Sequence, residues 1–93
     1  MSDIKKAVVS VIGADRKGII ASVARTLQDY DVNILDISQT IVSGLFTMIL
    51  IADISSEHCV FEALKSSLEE LGKEMNLQIR VQRSEIFEVM HQI

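Results

Sequence analysis

Apolar residues in this chain switch between two spacings, and the order of the switches restricts it to a small set of folds. From Ala7 to Ile12 the chain is β-branched and almost continuously apolar, the pattern of a strand buried on both faces, and Gly13 closes it. Gly18 opens a stretch in which Ile20, Val23, Ala24 and Leu27 recur at the i, i+3, i+4, i+7 interval of one helix face. Ser22, Arg25, Thr26, Gln28 and Asp29 fall on its outward side. From Val32 to Val42 the period drops to two, with Leu35, Ile37 and Ile41 opposite Asp36, Ser38 and Thr40. That alternation predicts a strand with one solvated or partner-facing side.

Ser43-Gly44 suits a two-residue hairpin turn, because glycine reaches positive φ without steric cost. Leu45 to Asp53 then returns, with Phe46, Met48 and Leu50 on one face and Leu45, Ile49 and Ile51 on the other. A strand apolar on both faces belongs in the middle of a sheet. Ser55 and Ser56 offer alternative N-caps for a second helix, with Glu57 placed to favour its positive dipole end. Phe61, Leu64, Leu68, Leu71 and Met75 form its stripe, and Gly72 marks either its end or a loosened last turn. Leu77, Ile79 and Val81 alternate with Gln78, Arg80 and Gln82 as a half-buried final strand.

The order is therefore β-α-β-β-α-β. A tight hairpin and two right-handed crossovers are together met by an α+β, ferredoxin-like sandwich. It has a four-stranded antiparallel sheet, both helices on one face, and the first and third strands in the centre. The expected organisation is a single domain over residues 1–93, with a core at about 6–83 and a short C-terminal helical tail at 84–93. Ser84 can cap that last helix, in which Ile86, Val89, Met90 and Ile93 share a face. The tail either covers the open sheet face or a partner's surface, or lies loosely as a frayed end.

With 93 residues and 48% apolar content, the chain supports one packed core but no separate catalytic unit. So small a domain has a poor ratio of core to surface, and oligomerisation is a common remedy. Nine Lys and Arg against 13 Asp and Glu give a net charge of −4. An acidic surface repels phosphate backbones, which argues against nucleic-acid partners. Cys59 is the only cysteine, so there is no internal disulfide framework. No apolar run approaches the ~20 residues of a membrane span, and the amino terminus lacks a signal pattern. A cytoplasmic location without membrane association is expected.

The segment with most chemical potential is the loop Gly13-Ala14-Asp15-Arg16-Lys17-Gly18-Ile19. A strand-to-helix junction offers unpaired backbone N–H groups and a positive dipole end, which attract carboxylates and phosphates. Asp15 can accept from an ammonium group or cap the helix, and Arg16 can pair with a carboxylate. Asn33, at the start of the next strand, lies beyond the far end of the first helix, roughly 15–20 Å away at 1.5 Å per residue. One small ligand spans both only if two chains meet side by side with reversed directions.

The loop and the segment Val32-Asn33-Ile34-Leu35-Asp36 together resemble the G-x-D-R-x-G-I loop and N-I-x-D strand of ACT domains, over Lys6 to about Arg83. The match is nearest to short stand-alone bacterial ACT proteins, and similar to the ACT domains of glycine-cleavage regulators and formyltetrahydrofolate deformylases. Many family loops carry proline where this chain has Lys17. The resemblance implies a non-catalytic regulatory domain, a homodimer that binds an amino acid or similar metabolite at the interface. It places Gly13, Ala14, Asp15, Arg16, Gly18 and Ile19 on the loop side of the site, and Asn33 and Ile34 on the strand side. The alternative is a dimerisation or protein-interaction module without a physiological small ligand.

Rival chemistries of the same topology fit less well. An acylphosphatase-like hydrolase needs a phosphate loop richer in glycine and an asparagine at another strand position. An RNA-recognition module needs aromatic residues on its central strands, where only Phe46 occurs, and a basic surface. A heavy-metal carrier needs paired cysteines. His58 and Cys59 are neighbours in sequence, but adjacent helical side chains point about 100° apart and do not easily share an ion. No metal, cofactor or catalytic group is expected.

Overall fold

A computed structural model describes residues 5–83. It contains β1 (Lys6–Ala14), α1 (Ile19–Asp29), β2 (Asn33–Val42), β3 (Leu45–Asp53), α2 (Phe61–Met75) and β4 (Leu77–Arg83). The strands form one sheet in the order β2-β3-β1-β4, and every neighbouring pair is antiparallel. Each helical crossover therefore passes one intervening strand, the expected ferredoxin-like arrangement with β1 and β3 central. The C-terminal tail, including the helix expected there, lies outside the described residues.

Alternation fixes the core. Ala7, Val9 and Val11 of β1, Phe46, Met48, Leu50 and Ala52 of β3, and Leu77, Ile79 and Val81 of β4 are buried on the helix side. Ile19, Val23 and Leu27 of α1 and Leu64 and Leu68 of α2 close over them. The helices are joined by a hydrogen bond between the Tyr30 hydroxyl and Ser67 Oγ at 2.5 Å.

Several local expectations are corrected. The buried line of α1 runs through Ile19, Val23 and Leu27, whereas Ile20 is 41% exposed, because the helix begins one residue before the expected stripe. The strands β1 and β3 are central but buried on one face only: Ile12 and Ile49 stay 42% and 48% exposed. Every residue of β2 is exposed, Ile37 and Ile41 included. A bulge at Leu35 adds an unpaired residue, so Ile34 joins Ile37 and Ile41 opposite Ala52, Leu50 and Phe46.

The second helix starts later than the serines suggest. Val60 is its N-cap and supplies no side-chain cap bond. Ser55 and Ser56 instead hold a turn: Ser55 N donates to Asp53 Oδ1 at 2.9 Å, and His58 N donates to Ser56 Oγ at 3.1 Å. His58 and Cys59 accordingly lie in that turn, ahead of the helix.

Two glycines serve close packing rather than the ends of their elements. Gly13 does not end β1, which continues to Ala14; a Cβ there would lie 2.5 Å from Leu77 Cδ2. Gly72 is buried inside α2, and a Cβ on it would meet the Leu77 carbonyl oxygen at 2.8 Å. The helix stops at Asn76, which adopts the left-handed conformation at φ 59° and ψ 46°. Gly72→Ala gains about 1 kcal/mol of helix propensity, yet the backbone collision outweighs it. A net loss of about 1–2 kcal/mol in urea unfolding is expected, in the range of other overpacked sites.

Candidate functional site

The loop after β1 is built from backbone rather than side chains. Gly18 is the N-cap of α1 at φ 88°, a left-handed geometry that favours glycine, and no side chain caps the helix. Asp15 therefore does not take the capping role open to it in the sequence. Its backbone N–H donates to the Gly44 carbonyl oxygen at 2.8 Å, tying the loop to the β2–β3 hairpin turn. Ser43 and Gly44 both have positive φ, as a tight two-residue turn requires.

Ala14, Asp15, Arg16, Lys17 and Gly18 are exposed, and Gly13 is half-buried. Ile19 is different: its side chain is core, 2% exposed, so only its backbone faces the loop. Arg16 and Lys17 thus stand beside the uncapped start of α1, where free N–H groups and two cations suit a carboxylate. A shallow groove of about 290 Å³ continues from Gly18 along Ser22 and Arg25 towards Leu71.

Asn33 and Ile34 lie at the opposite end of the sheet. Asn33 pairs with Asp53, whereas Ala14 pairs with Leu45, eight positions earlier on β3. At ~3.4 Å per residue the two halves of the expected site are about 27 Å apart in one chain. The structure brings together Gly13 to Gly18 with Ser43 and Gly44; it does not bring them to Asn33.

A second concavity, of about 460 Å³, occupies the Asn33 end and escaped the sequence reading. Lys5, Ser55, Cys59, Phe61 and Arg83 line it, and the Arg83 guanidinium lies 4.7 Å from the centre of the Phe61 ring. Ser55 Oγ accepts from Lys5 N at 2.8 Å, and Ser56 Oγ donates to Asp31 Oδ2 at 2.6 Å. Hydrogen bonds from the Ser55 side chain and backbone, aided by Lys6, hold the Asp53 carboxyl below its ordinary value. Burial, and secondarily the Asp31 charge, push the Cys59 thiol up, the opposite of nucleophile activation. The one local signal for this corner was Asp53-Ile54-Ser55, an Asx-turn spacing. Among the described residues no three His, Cys, Asp or Glu side chains cluster as metal ligands. No helix among them is long and apolar enough to cross a membrane.

A family model described as "ACT domain" matches residues 5–82. The chain belongs to the ACT domain family. Its members are typically regulatory, ligand-binding modules. The chain is similar to a UPF0237 protein of Methanocaldococcus jannaschii, 49% identical over 88 residues that cover 95% of this chain and 98% of that one. It is also similar to an ACT domain protein from Streptococcus pneumoniae, with 34% identity, a TM-score of 0.79, and coverage of 92% and 97%. A formyltetrahydrofolate deformylase from Pseudomonas syringae shares the fold at a TM-score of 0.80 and 19% identity. The match covers 90% of this chain but 29% of the deformylase.

The turn around Cys59 yields a measurable consequence. Alkylation of Cys59 should show its inflection at higher pH than a free cysteine peptide, since the thiolate is the reactive form. Asp31→Asn should move that inflection down without bringing it to the free-peptide position, since burial rather than Asp31 is the larger cause.

Proposed function

We propose that this ACT domain is a non-catalytic regulatory module that binds an amino acid or similar small metabolite between two copies of the chain. The observation that carries the reading is the bond from Asp15 N to Gly44 O, which fixes the glycine loop beside one end of β2. Among the described residues, β2 is unpaired along its outer edge and exposed throughout, with Ile41 56% accessible. Unpaired strand edges recruit further strands. Antiparallel pairing of two β2 edges over their full length sets Asn33 of one copy opposite Val42 of the other. Asn33 then lies three strand spacings, about 14 Å, from the Ala14 position of the second copy. The Arg16 and Asn33 side chains reach into that interval from either side.

In such a site Arg16, Lys17 and the N–H groups opening α1 hold a carboxylate. Asp15 accepts from an ammonium group, and the Asn33 side-chain amide fixes orientation. Ile34 adds apolar contact from the strand side, while Gly13, Ala14, Gly18 and the Ile19 backbone supply close approach. A zwitterionic α-amino acid presents both charges at this spacing.

The open apolar sheet face favours a second reading, a dimerisation or protein-interaction module without a small ligand. Thermal melting against the common amino acids separates the two. A bound amino acid at about one hundred times its Kd stabilises the folded state by about 2.7 kcal/mol. That should raise the melting temperature by roughly 10 °C or more for a domain of this size. Arg16→Ala should abolish the shift without lowering the unliganded melting temperature, because Arg16 is exposed and supports no packing. A melting temperature that no amino acid moves would favour the interaction module.

The interface has its own check. Ile41→Glu places a charge on the β2 edge and should weaken self-association in sedimentation by about tenfold or more, with the monomer's stability nearly unchanged. An unaltered dimer would place the interface elsewhere.

A further inference from the structure

Two of the apolar lines that fill the core end in cations. On β1 the inward positions run Val11, Val9 and Ala7, all buried, and the next position of the same facing is Lys5. On β4 they run Leu77, Ile79 and Val81, and the next is Arg83. Arg83 pairs with Ala7, so Lys5 is its diagonal neighbour, at a Cβ separation of roughly 7 Å. The backbone of Lys5 is held on β3's continuation: its N–H donates to Ser55 Oγ at 2.8 Å, and its carbonyl oxygen accepts from Ile54 N at 2.8 Å. Both cations line the concavity of about 460 Å³, where Ile54 and Phe61 supply an apolar wall. Like charges this close repel, and a net charge of −4 means that they do not belong to a generally basic surface. Among the described residues the ion pair formed is Glu70 with Lys73 on α2, and neither Lys5 nor Arg83 enters one. The neighbouring aspartates are already engaged, Asp53 by Ser55 N and Asp31 by Ser56 Oγ. Arg83 is instead anchored 4.7 Å from the centre of the Phe61 ring, a contact that holds the guanidinium without using its N–H donors.

We propose that this concavity binds a small metabolite through a single phosphate monoester group. Such a group carries about −1.5 to −2 charge near neutral pH and answers both cations at once, whereas one carboxylate answers only one of them. The Arg83 fork takes two of its oxygens and the Lys5 ammonium a third. Glu57, on the lining of the same concavity, opposes a longer polyanion such as a diphosphate. Ile54 and Phe61 receive the apolar part of the ligand. Ala7 to Ala14 spans about 24 Å along β1, so in one chain this site and the glycine loop lie at opposite ends of the sheet. The phosphate site therefore stands apart from the amino-acid reading.

The test is a titration of the isotope-labelled full chain with inorganic phosphate, and with acetate at equal ionic strength, followed through the backbone amide resonances. Phosphate should move the amides of Lys5, Ser56, Phe61 and Arg83 along one saturating curve, while acetate leaves them nearly still. Lys5→Met and Arg83→Met keep the apolar stems, and each should weaken phosphate binding about tenfold or more. Both side chains are exposed, so the variants should keep the amide spectrum of the core strands, which verifies their fold. Arg16→Ala, at the glycine loop, should leave phosphate binding unchanged, which separates failure of this site from failure of the other. Equal shifts from phosphate and acetate would reduce the effect to charge screening and overturn the proposal. So would a phosphate affinity that survives Arg83→Met, or phosphate shifts confined to residues 13–18.

Discussion

Ala7, Val9 and Val11 point from β1 into the space beneath both helices, and none has any exposed surface. Their burial sets the inward face of the strand and so the register on both sides, against β3 and against β4. A slip of one residue would turn all three outward and carry Ser10 and Ile12 under the helices, so hydrophobic burial leaves a single alignment. At roughly 1.5–3 kcal/mol for each fully buried aliphatic side chain, the wrong alignment forfeits several kcal/mol from β1 alone. The position of the glycine loop is a consequence. It begins where β1 runs out of paired partners, beside the hairpin turn that accepts the Asp15 N–H.

The same one-sided burial creates both unfinished surfaces of the domain. Two helices of 11 and 15 residues cover β1, β3 and β4 on one face and fall short of β2. Isoleucines 34, 37 and 41 are therefore in register with buried neighbours yet exposed themselves. The bulge at Leu35 interrupts the register at the Asn33 end of the strand, and Asp36 Oδ1 accepts from the Ile37 N–H there at 2.8 Å. The remaining length, towards Val42, is regular. An edge of that kind is a hazard if left bare and a docking device if matched.

Period and order in the sequence were enough for the topology, because α1, β2, α2 and β4 carry clear periods and the two unbroken apolar runs fall where central strands belong. Faces were harder. β1 and β3 read as doubly buried, since an apolar residue such as Ile49 looks the same whether it meets a helix of its own domain or something beyond it. Ile20 and Ile19 are adjacent isoleucines, and only the αL geometry at Gly18 decides which begins the buried line. Ser55 and Ser56 carry the chemistry of helix caps and of turns alike. Gly13 read as the end of a strand and Gly72 as the end or loosened last turn of a helix, but both are answers to Leu77, which lies far from Gly13 in sequence and just beyond the helix that holds Gly72. The glycine loop was legible from its residue types. Its bond to Gly44 was not, because that contact follows from the β1–β3 pairing.

The separation of the loop from Asn33 bears on how a domain of this kind works. Within one chain the two lie at opposite ends of β3, and the rigid sheet between them leaves no hinge to close the gap. A ligand that uses both must therefore be held by two chains, and its binding energy adds directly to that of the dimer. Reciprocity follows: if ligand favours the dimer by some factor, dimerisation favours ligand by the same factor. On the proposed reading, such a module reports a metabolite by assembling, without needing to change its fold, and a weak edge contact serves this better than a strong one. An edge already saturated by a tight dimer would leave the ligand little association to promote.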